Sequence, residues 1–154
     1  MSGLEFGSGR STSWLAHHLG QLTSVEHVAA WFDKVREDLH REKVGNVDYR
    51  LIPLDHTESE PEQENYQPLP AYVRVLEDFA DDELDFVIVD GHYRTTCIKF
   101  GLRKLKPGGL LLVDDTNLWP SRSLIPVPSD WALMDESTNG IKQACIWKKP
   151  RSAS

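Results

Sequence analysis

The hydrophobic pattern of the chain switches repeatedly between short apolar runs and helical spacing, and this switching limits the folds that the chain can adopt. The intervening segments carry apolar residues three or four positions apart, as between Val28 and Leu39, which is typical of amphipathic helices. Alternating strands and helices predict an α/β fold with a largely parallel sheet. The short apolar runs predict strands at 4–7, 22–26, 49–54, 84–90 and 110–114.

Turn-forming residues predict where the helices begin and end. Ser11, Thr12 and Ser13 are the predicted N-cap residues of the first helix. A later helix is predicted to carry Leu105 on its apolar face and to stop at Pro107-Gly108-Gly109.

The C-terminal part of the chain has a different pattern. Two apolar runs at 131–134 and 144–147 flank Asn139-Gly140, a dipeptide typical of tight hairpin turns. We therefore expect a doubly wound sheet that is mostly parallel and ends in an antiparallel hairpin. One domain is predicted over residues 1–149, with a frayed tail at 150–154.

Composition argues against several classes of function. The chain has 24 acidic and 17 basic residues and a formal charge of −7, so general affinity for nucleic acids or anionic membranes is not expected. No segment approaches the roughly 18 apolar residues of a membrane span, and the first residues do not resemble a secretory signal. We expect a cytoplasmic protein in which Cys97 and Cys145 are reduced and buried.

The densest chemical signal is Glu5-Phe6-Gly7-Ser8-Gly9-Arg10-Ser11-Thr12, at the first predicted strand-to-helix turn. Glycines let the backbone approach a ligand closely, and a helix N-terminus offers free N–H groups. Glu26 lies 19 residues after Gly7, at the predicted end of the second strand, where an acid commonly binds ribose hydroxyls. The pattern predicts a nucleoside-containing ligand. The alternative is a structural tight turn with Glu26 as a solvated cap.

Glu5-x-Gly7-x-Gly9 resembles the first motif of the class I S-adenosylmethionine-dependent methyltransferases, which have a Rossmann-like fold. A nicotinamide-dependent oxidoreductase is the weaker alternative, because its fingerprint has a third glycine where this chain has Thr12. The similarity covers nearly the whole chain, through Glu26, Asp90-Gly91-His92-Tyr93, Leu105-x-Pro107-Gly108-Gly109 and Asp114-Asp115. The resemblance implies that S-adenosylmethionine is bound by Glu5, Gly7, Ser8, Gly9, Ser11, Glu26, His27, Asp55 and Asp90.

The later motifs are most similar to those of small-molecule O-methyltransferases in which Asp-Gly-x-His and a later Asp-Asp frame a divalent metal. In the strand order that the resemblance implies, Asp90, Asp114 and Asp115 share one rim of the sheet. Three carboxylates repel one another unless a cation or protons neutralise them, and oxygen ligands suit Mg²⁺. The alternative is that these acids cap helices or accept hydrogen bonds without metal. The metal-dependent catechol-type relatives usually have Asn in the place of Asp115.

His92 lies two residues beyond the fourth predicted strand, near the expected reaction centre. An imidazole titrates near neutral pH, so His92 is the predicted general base, with Asp90 as a second catalytic candidate. His92 could alternatively ligate the metal or hydrogen-bond Asp115. The catalytic lysine of catechol-type relatives has no clear counterpart, since Tyr93 or Arg94 falls at about that place.

The resulting hypothesis is O-methylation of a small-molecule hydroxyl, and the alternative is an inactive cofactor-binding scaffold. Met1 stands three residues before the first predicted strand, so no covering N-terminal segment is expected. Either the chain is a fragment of a longer methyltransferase, or acceptor recognition falls to 55–70 and 117–130, or a homodimer contact or another partner covers the cleft. Three aromatic residues on helix faces are expected in the core, namely Trp14, Trp31 and Phe32. His18 follows an apolar helix face and is expected to be packed as well.

Overall fold

A seven-stranded sheet forms the centre of the computed structural model, which describes residues 1–56 and 66–151. The strands are β1 (Ser2–Phe6), β2 (Gln21–Glu26), β3 (Val47–Leu51), β4 (Leu84–Val89), β5 (Leu105–Val113), β6 (Ala132–Thr138) and β7 (Gln143–Lys148). Their order is β3-β2-β1-β4-β5-β7-β6. The first five are parallel, and β7 is antiparallel to both of its neighbours. The predicted α/β sheet with a C-terminal antiparallel hairpin is confirmed.

Helices connect the parallel strands. The described helices are α1 (Arg10–His18), α2 (Ala29–Arg41), α3 (Ala71–Arg74) and α4 (Arg94–Gly101), with short 3₁₀ turns at Val75–Asp78, Thr116–Leu118 and Arg122–Leu124. Among the described residues, no helix combines the length and the apolar composition needed to cross a membrane. The predicted loop at 55–70 and the predicted tail at 150–154 lie partly outside the described residues.

Two predicted helix boundaries are wrong. Gly9, and not a residue of 11–13, is the N-cap of α1, because its N–H donates to the Thr12 hydroxyl over 3.0 Å. Pro107-Gly108-Gly109 lies inside β5 and ends no helix. The backbone there continues the sheet, since Gly108 N donates to Lys149 O and Lys149 N to Gly109 O, each over 2.9 Å.

The sheet separates two apolar clusters because successive strand residues point to opposite faces. The larger cluster joins the buried Val87 and Val89 of β4 to the buried Ile98 of α4. The smaller cluster joins Ile88 to Leu15 of α1. Burying one side chain of this size contributes about 1.5–3 kcal/mol, so both sets of helices are held on the sheet by apolar packing.

The helix faces that pack on the sheet are narrower than the sequence pattern predicts. Trp14 is 61% exposed and Trp31 is 39% exposed, so their predicted core positions are wrong. His18 is also exposed and stacks on Trp14 with ring centroids 4.2 Å apart. Helical spacing identifies an apolar stripe, but other elements cover only part of it. Cys97 and Cys145 are both buried, as predicted.

Candidate functional site

The C-terminal ends of β1, β4 and β5 meet at one rim of the sheet. The backbone hydrogen bonds continue one residue past each strand, with Asp90 N donating to Phe6 O over 2.8 Å and Asp114 N to Val89 O over 3.1 Å. Gly7 N likewise donates to Val25 O over 2.9 Å. These bonds bring the glycine turn and the two acidic motifs together, as the strand order predicts.

The two glycines of the turn serve different purposes. Gly7 has a φ of +91°, and a β-carbon there would lie 2.2 Å from the carbonyl oxygen of Asp90. The close approach of β1 and β4 therefore requires this glycine. Gly9 has an extended φ of 172°, and the nearest atom to its β-carbon position is Trp31 Cζ2 at 4.0 Å. The fold itself does not require Gly9, which leaves open space beside the turn that a ligand can approach.

Glu5 lies beneath the turn, fully buried. Its Oε1 accepts from the Ser11 hydroxyl over 2.7 Å. Its Oε2 accepts from the hydroxyls of Thr12 over 2.8 Å and Ser24 over 2.6 Å. Burial raises the pKa of Glu5, and the hydroxyl donors partly oppose this shift. The structure thus places Glu5 and Ser11 where they support the turn from behind.

Glu26 lies buried at the end of β2 and is held by donors from two segments. Its Oε1 accepts from the Ser8 hydroxyl over 2.8 Å and from Ser8 N over 3.3 Å. Its Oε2 accepts from the backbone N–H groups of His27 over 2.9 Å and Val28 over 3.0 Å. The predicted ribose-binding acid is therefore fixed in position and tied directly to the glycine turn.

Two further residues secure Ser8, and the sequence analysis missed both as parts of the site. The hydroxyls of Tyr49 and Ser8 lie 2.6 Å apart, and burial raises the pKa of Tyr49 to about 12, so its phenol stays protonated. The indole N–H of Trp31 donates to Ser8 O over 2.9 Å. The polar group of a buried tyrosine or tryptophan usually finds a hydrogen-bond partner. The sequence does not show that this partner is Ser8, because both residues are far from Ser8 in the chain.

Two histidines face each other across the rim. The ring centroids of His27 and His92 lie 4.2 Å apart, edge to face, and His27 Nδ1 is 3.4 Å from Glu26 Oε2. The pKa of His92 is lowered from its ordinary 6.5, first by burial and then by the nearby His27 and Arg94. His92 is therefore a neutral imidazole at physiological pH and can accept a proton.

Asp90, Asp114 and Asp115 form the acidic cluster that the sequence predicts, with oxygens of all three within 4.8 Å of one another. Burial raises the pKa of Asp90 to about 7, with a further contribution from the charge of Asp114. Arg94 also contacts this cluster, which the sequence did not predict. Its Nη2 lies 3.4 Å from Asp90 Oδ1 and 3.4 Å from Asp115 Oδ2, and its Nη1 donates to Asp114 O over 2.7 Å.

Asp55 lies apart from these contacts. Its two carboxylate oxygens accept from Ala71 N over 3.1 and 3.3 Å, at the start of α3. The neighbouring His56 carbonyl accepts from the hydroxyl of Tyr93 over 2.8 Å, which ties the segment after β3 to the rim. A direct contact of Asp55 with adenine stays a prediction.

A family model described as a methyltransferase domain matches residues 4–116, from β1 through the glycine turn to the acidic pair after β5. The chain belongs to the class I S-adenosylmethionine-dependent methyltransferases. The methyltransferase is thus an enzyme of the family that the motifs at Gly7, Asp90 and Asp114 resemble. No curated protein sequence matches it.

Solved structures share the fold of the methyltransferase over almost its whole length. The O-methyltransferase TomG from Streptomyces achromogenes, solved with S-adenosylmethionine, has a TM-score of 0.69 and 16% identity, over 96% of this chain and 73% of that one. An rRNA methylase from Streptococcus thermophilus has a TM-score of 0.67 and 15% identity, over 97% and 87%. The N-methyltransferase NodS from Bradyrhizobium japonicum has a TM-score of 0.60 and 15% identity, over 97% and 86%. At these identities the likeness shows the fold alone, and the three names give three different acceptors.

The site of the methyltransferase suits the cofactor better than it suits the predicted metal. The open side of Gly9 and the fixed carboxylate of Glu26 suit a nucleoside-containing ligand. The acidic cluster has the oxygen ligands that Mg²⁺ prefers, but the guanidinium of Arg94 already lies among them. Arg94 offsets part of the negative charge of the cluster and would repel a second cation within a few ångströms, so the donor set fits a divalent metal poorly.

Proposed function

We propose that the methyltransferase moves the methyl group of S-adenosylmethionine to a hydroxyl oxygen of a small molecule, with His92 accepting the hydroxyl proton. The observation that carries the proposal is the position of His92, which packs edge to face on His27 at the rim where the glycine turn and the acidic motifs meet, with a lowered pKa that keeps its imidazole neutral. A base matters for a hydroxyl acceptor because the oxygen is a weak nucleophile until its proton is removed.

The residues that would hold the cofactor are those of the glycine turn and the end of β2. Gly7, Ser8 and Gly9 present backbone to the ligand, and Glu26 and His27 lie beside them. When bound, S-adenosylmethionine supplies an electrophilic methyl group on a positively charged sulfur. Because Ser8 and Glu26 hold each other, the turn is ordered before a ligand arrives, and less entropy is lost on binding.

Alignment of the acceptor with the methyl group would supply most of the rate enhancement, since the reaction is a direct displacement. His92 would take the proton, and the nearby carboxylate of Glu26 would favour the positive charge that His92 then acquires. Asp90, with a pKa raised to about 7, is the second group at the rim that can hold or release a proton near neutral pH.

The metal-assisted form of this reaction is implied by the resemblance to metal-dependent O-methyltransferases. The short distances within the acidic cluster favour it, and the position of Arg94 disfavours it. We therefore propose no step through a metal.

The test begins with calorimetry, in which the wild-type methyltransferase is expected to bind S-adenosylhomocysteine. Release of S-adenosylhomocysteine is then measured over a panel of hydroxyl, amine and thiol acceptors. Turnover with hydroxyl acceptors supports the proposal if it is lost in a His92→Gln variant that still binds S-adenosylhomocysteine. Turnover restricted to amines contradicts it, and cofactor binding without turnover of any acceptor favours the scaffold alternative.

A further inference from the structure

The acidic cluster of Asp90, Asp114 and Asp115 contains its own positive charge. We infer that Arg94 is the fixed cation of this cluster and that the methyltransferase is built to use it in place of a divalent metal. The inference deepens the proposed function and rests on it in one respect, that the cluster lies beside the reaction centre.

The geometry of Arg94 is that of a group shared by three acids. Arg94 begins α4, four residues after Asp90, so its side chain turns back toward the end of β4. One nitrogen of the guanidinium lies 3.4 Å from both Asp90 and Asp115, and another donates to the carbonyl oxygen of Asp114 over 2.7 Å. A planar guanidinium with several N–H groups can serve these three residues together, whereas an ammonium is a point charge.

Burial distinguishes Arg94 from Lys142, a second cation near the cluster. Its side chain is only 14% exposed. Lys142 Nζ lies 3.8 Å from Asp115 Oδ1, but that side chain is 63% exposed and is screened by solvent. Of these two cations, Arg94 is therefore less screened by solvent at the cluster.

Arg94 also fixes the conformation of the acidic turn. Asp115 has a φ of +51°, in the left-handed region, and its N–H donates to Asp114 Oδ1 over 2.9 Å. The contacts of Arg94 to Asp114 O and Asp115 Oδ2 tie this turn to the start of α4. Arg94 is thus a positioning residue: it acts on a reaction through Asp90 and the acidic pair.

Mn²⁺ binding tests the inference without an activity assay. Mn²⁺ is titrated into the full chain, followed by electron paramagnetic resonance and calorimetry, for the wild type, Arg94→Met and Arg94→Met/Asp114→Asn. The wild type is expected to bind no Mn²⁺ at the cluster up to the highest concentration titrated. Arg94→Met is expected to bind Mn²⁺ with an affinity at least about tenfold above that limit, a difference of roughly 1.4 kcal/mol, and the added Asp114→Asn should abolish this site. Arg103→Met, which removes an exposed arginine paired with Asp81, is the matched control and should gain no site.

Two results overturn the inference. One is Mn²⁺ binding to the wild type that Asp114→Asn abolishes. The other is a folded Arg94→Met variant with no new Mn²⁺ site. Where Arg94→Met does not fold alone, millimolar Mn²⁺ should restore its folding, and failure to restore it counts against the inference. Calorimetry with S-adenosylhomocysteine on the same wild-type sample reports on the proposed function separately, since that ligand needs the glycine turn and not Arg94.

Discussion

The β-carbon position of Gly7 lies 2.2 Å from the carbonyl oxygen of Asp90, so the ends of β1 and β4 can approach this closely only with a glycine at Gly7. The same contact places the glycine turn against the first acid of the rim. The packing of two strands and the shape of the candidate site therefore depend on one residue.

The paired variants Gly7→Ala and Gly9→Ala should separate folding from ligand binding. Gly7→Ala is expected to lower the free energy of unfolding by about 2–4 kcal/mol, because it adds a clash and a left-handed alanine. Gly9→Ala should change it by no more than about 1 kcal/mol, since its β-carbon meets only Trp31 Cζ2 at 4.0 Å and the main cost is that of alanine at an N-cap. Urea unfolding measures both, and calorimetry should show weaker binding of S-adenosylhomocysteine to Gly9→Ala. Unchanged affinity would mean that the cofactor does not use the open side of Gly9.

A second prediction concerns Gly91 and Tyr72. A β-carbon at Gly91 would lie 2.0 Å from the Tyr72 hydroxyl oxygen and 3.2 Å from its Cζ. Gly91→Ala is expected to destabilise the chain, and Tyr72→Phe should relieve much of that loss by removing the hydroxyl. Urea unfolding of the two single variants and the double variant should give a coupling of at least about 1 kcal/mol. Additive losses would show that the backbone, and not the hydroxyl, limits this position.

The buried carboxyl of Glu5 predicts a pH dependence of stability. Burial raises its pKa in the folded chain above the ordinary value of 4.5. The folded chain therefore holds the proton more tightly than the unfolded chain, and stability is lost as pH rises from 4.5 through the folded pKa. Relative to Glu5→Gln, the wild type should lose free energy of unfolding across this range. Urea unfolding from acid to neutral pH checks this, with the exposed Glu37→Gln as control, and parallel curves for wild type and Glu5→Gln would contradict it.

His92 predicts the acid side of the pH–rate profile. Its pKa is lowered from 6.5, mainly by burial, so the proton-accepting imidazole should persist below that pH and activity should fall only in more acidic solution. His92→Gln is expected to lower kcat by about 10²–10⁴-fold and to remove this acid limb. Exposed His17→Gln should leave the limb in place. A limb that survives in His92→Gln would assign the titration to another group.

Much of the fold could be predicted from the sequence because the buried strands have continuous apolar runs. The central part of β4 and the end of β5 are such runs, and they are where prediction and structure agree. The start of β5 could not be predicted in this way. Pro107-Gly108-Gly109 is typical of a helix end, but here its backbone pairs with Lys149, a contact across more than forty residues.

In the candidate site, too, the residues at strand ends could be predicted from the sequence, whereas the side chains that reach the site from other elements could not. The glycine turn, Glu26 and the three acids follow strand ends, so the strand order alone brings them to one rim. Tyr49, Trp31 and Arg94 join that rim through side chains that reach it from β3, α2 and α4. Sequence periodicity gives their position on an element, but not how far a long side chain reaches or what covers it.

The position of Arg94 also affects how the charge of the rim depends on the concentration of free metal. A bound metal dissociates, and the occupancy of its site follows the free metal concentration of the surroundings. A guanidinium attached covalently to α4 has no such dissociation equilibrium. The charge balance of this rim is therefore set by the covalent chain itself and should stay the same when the supply of magnesium changes.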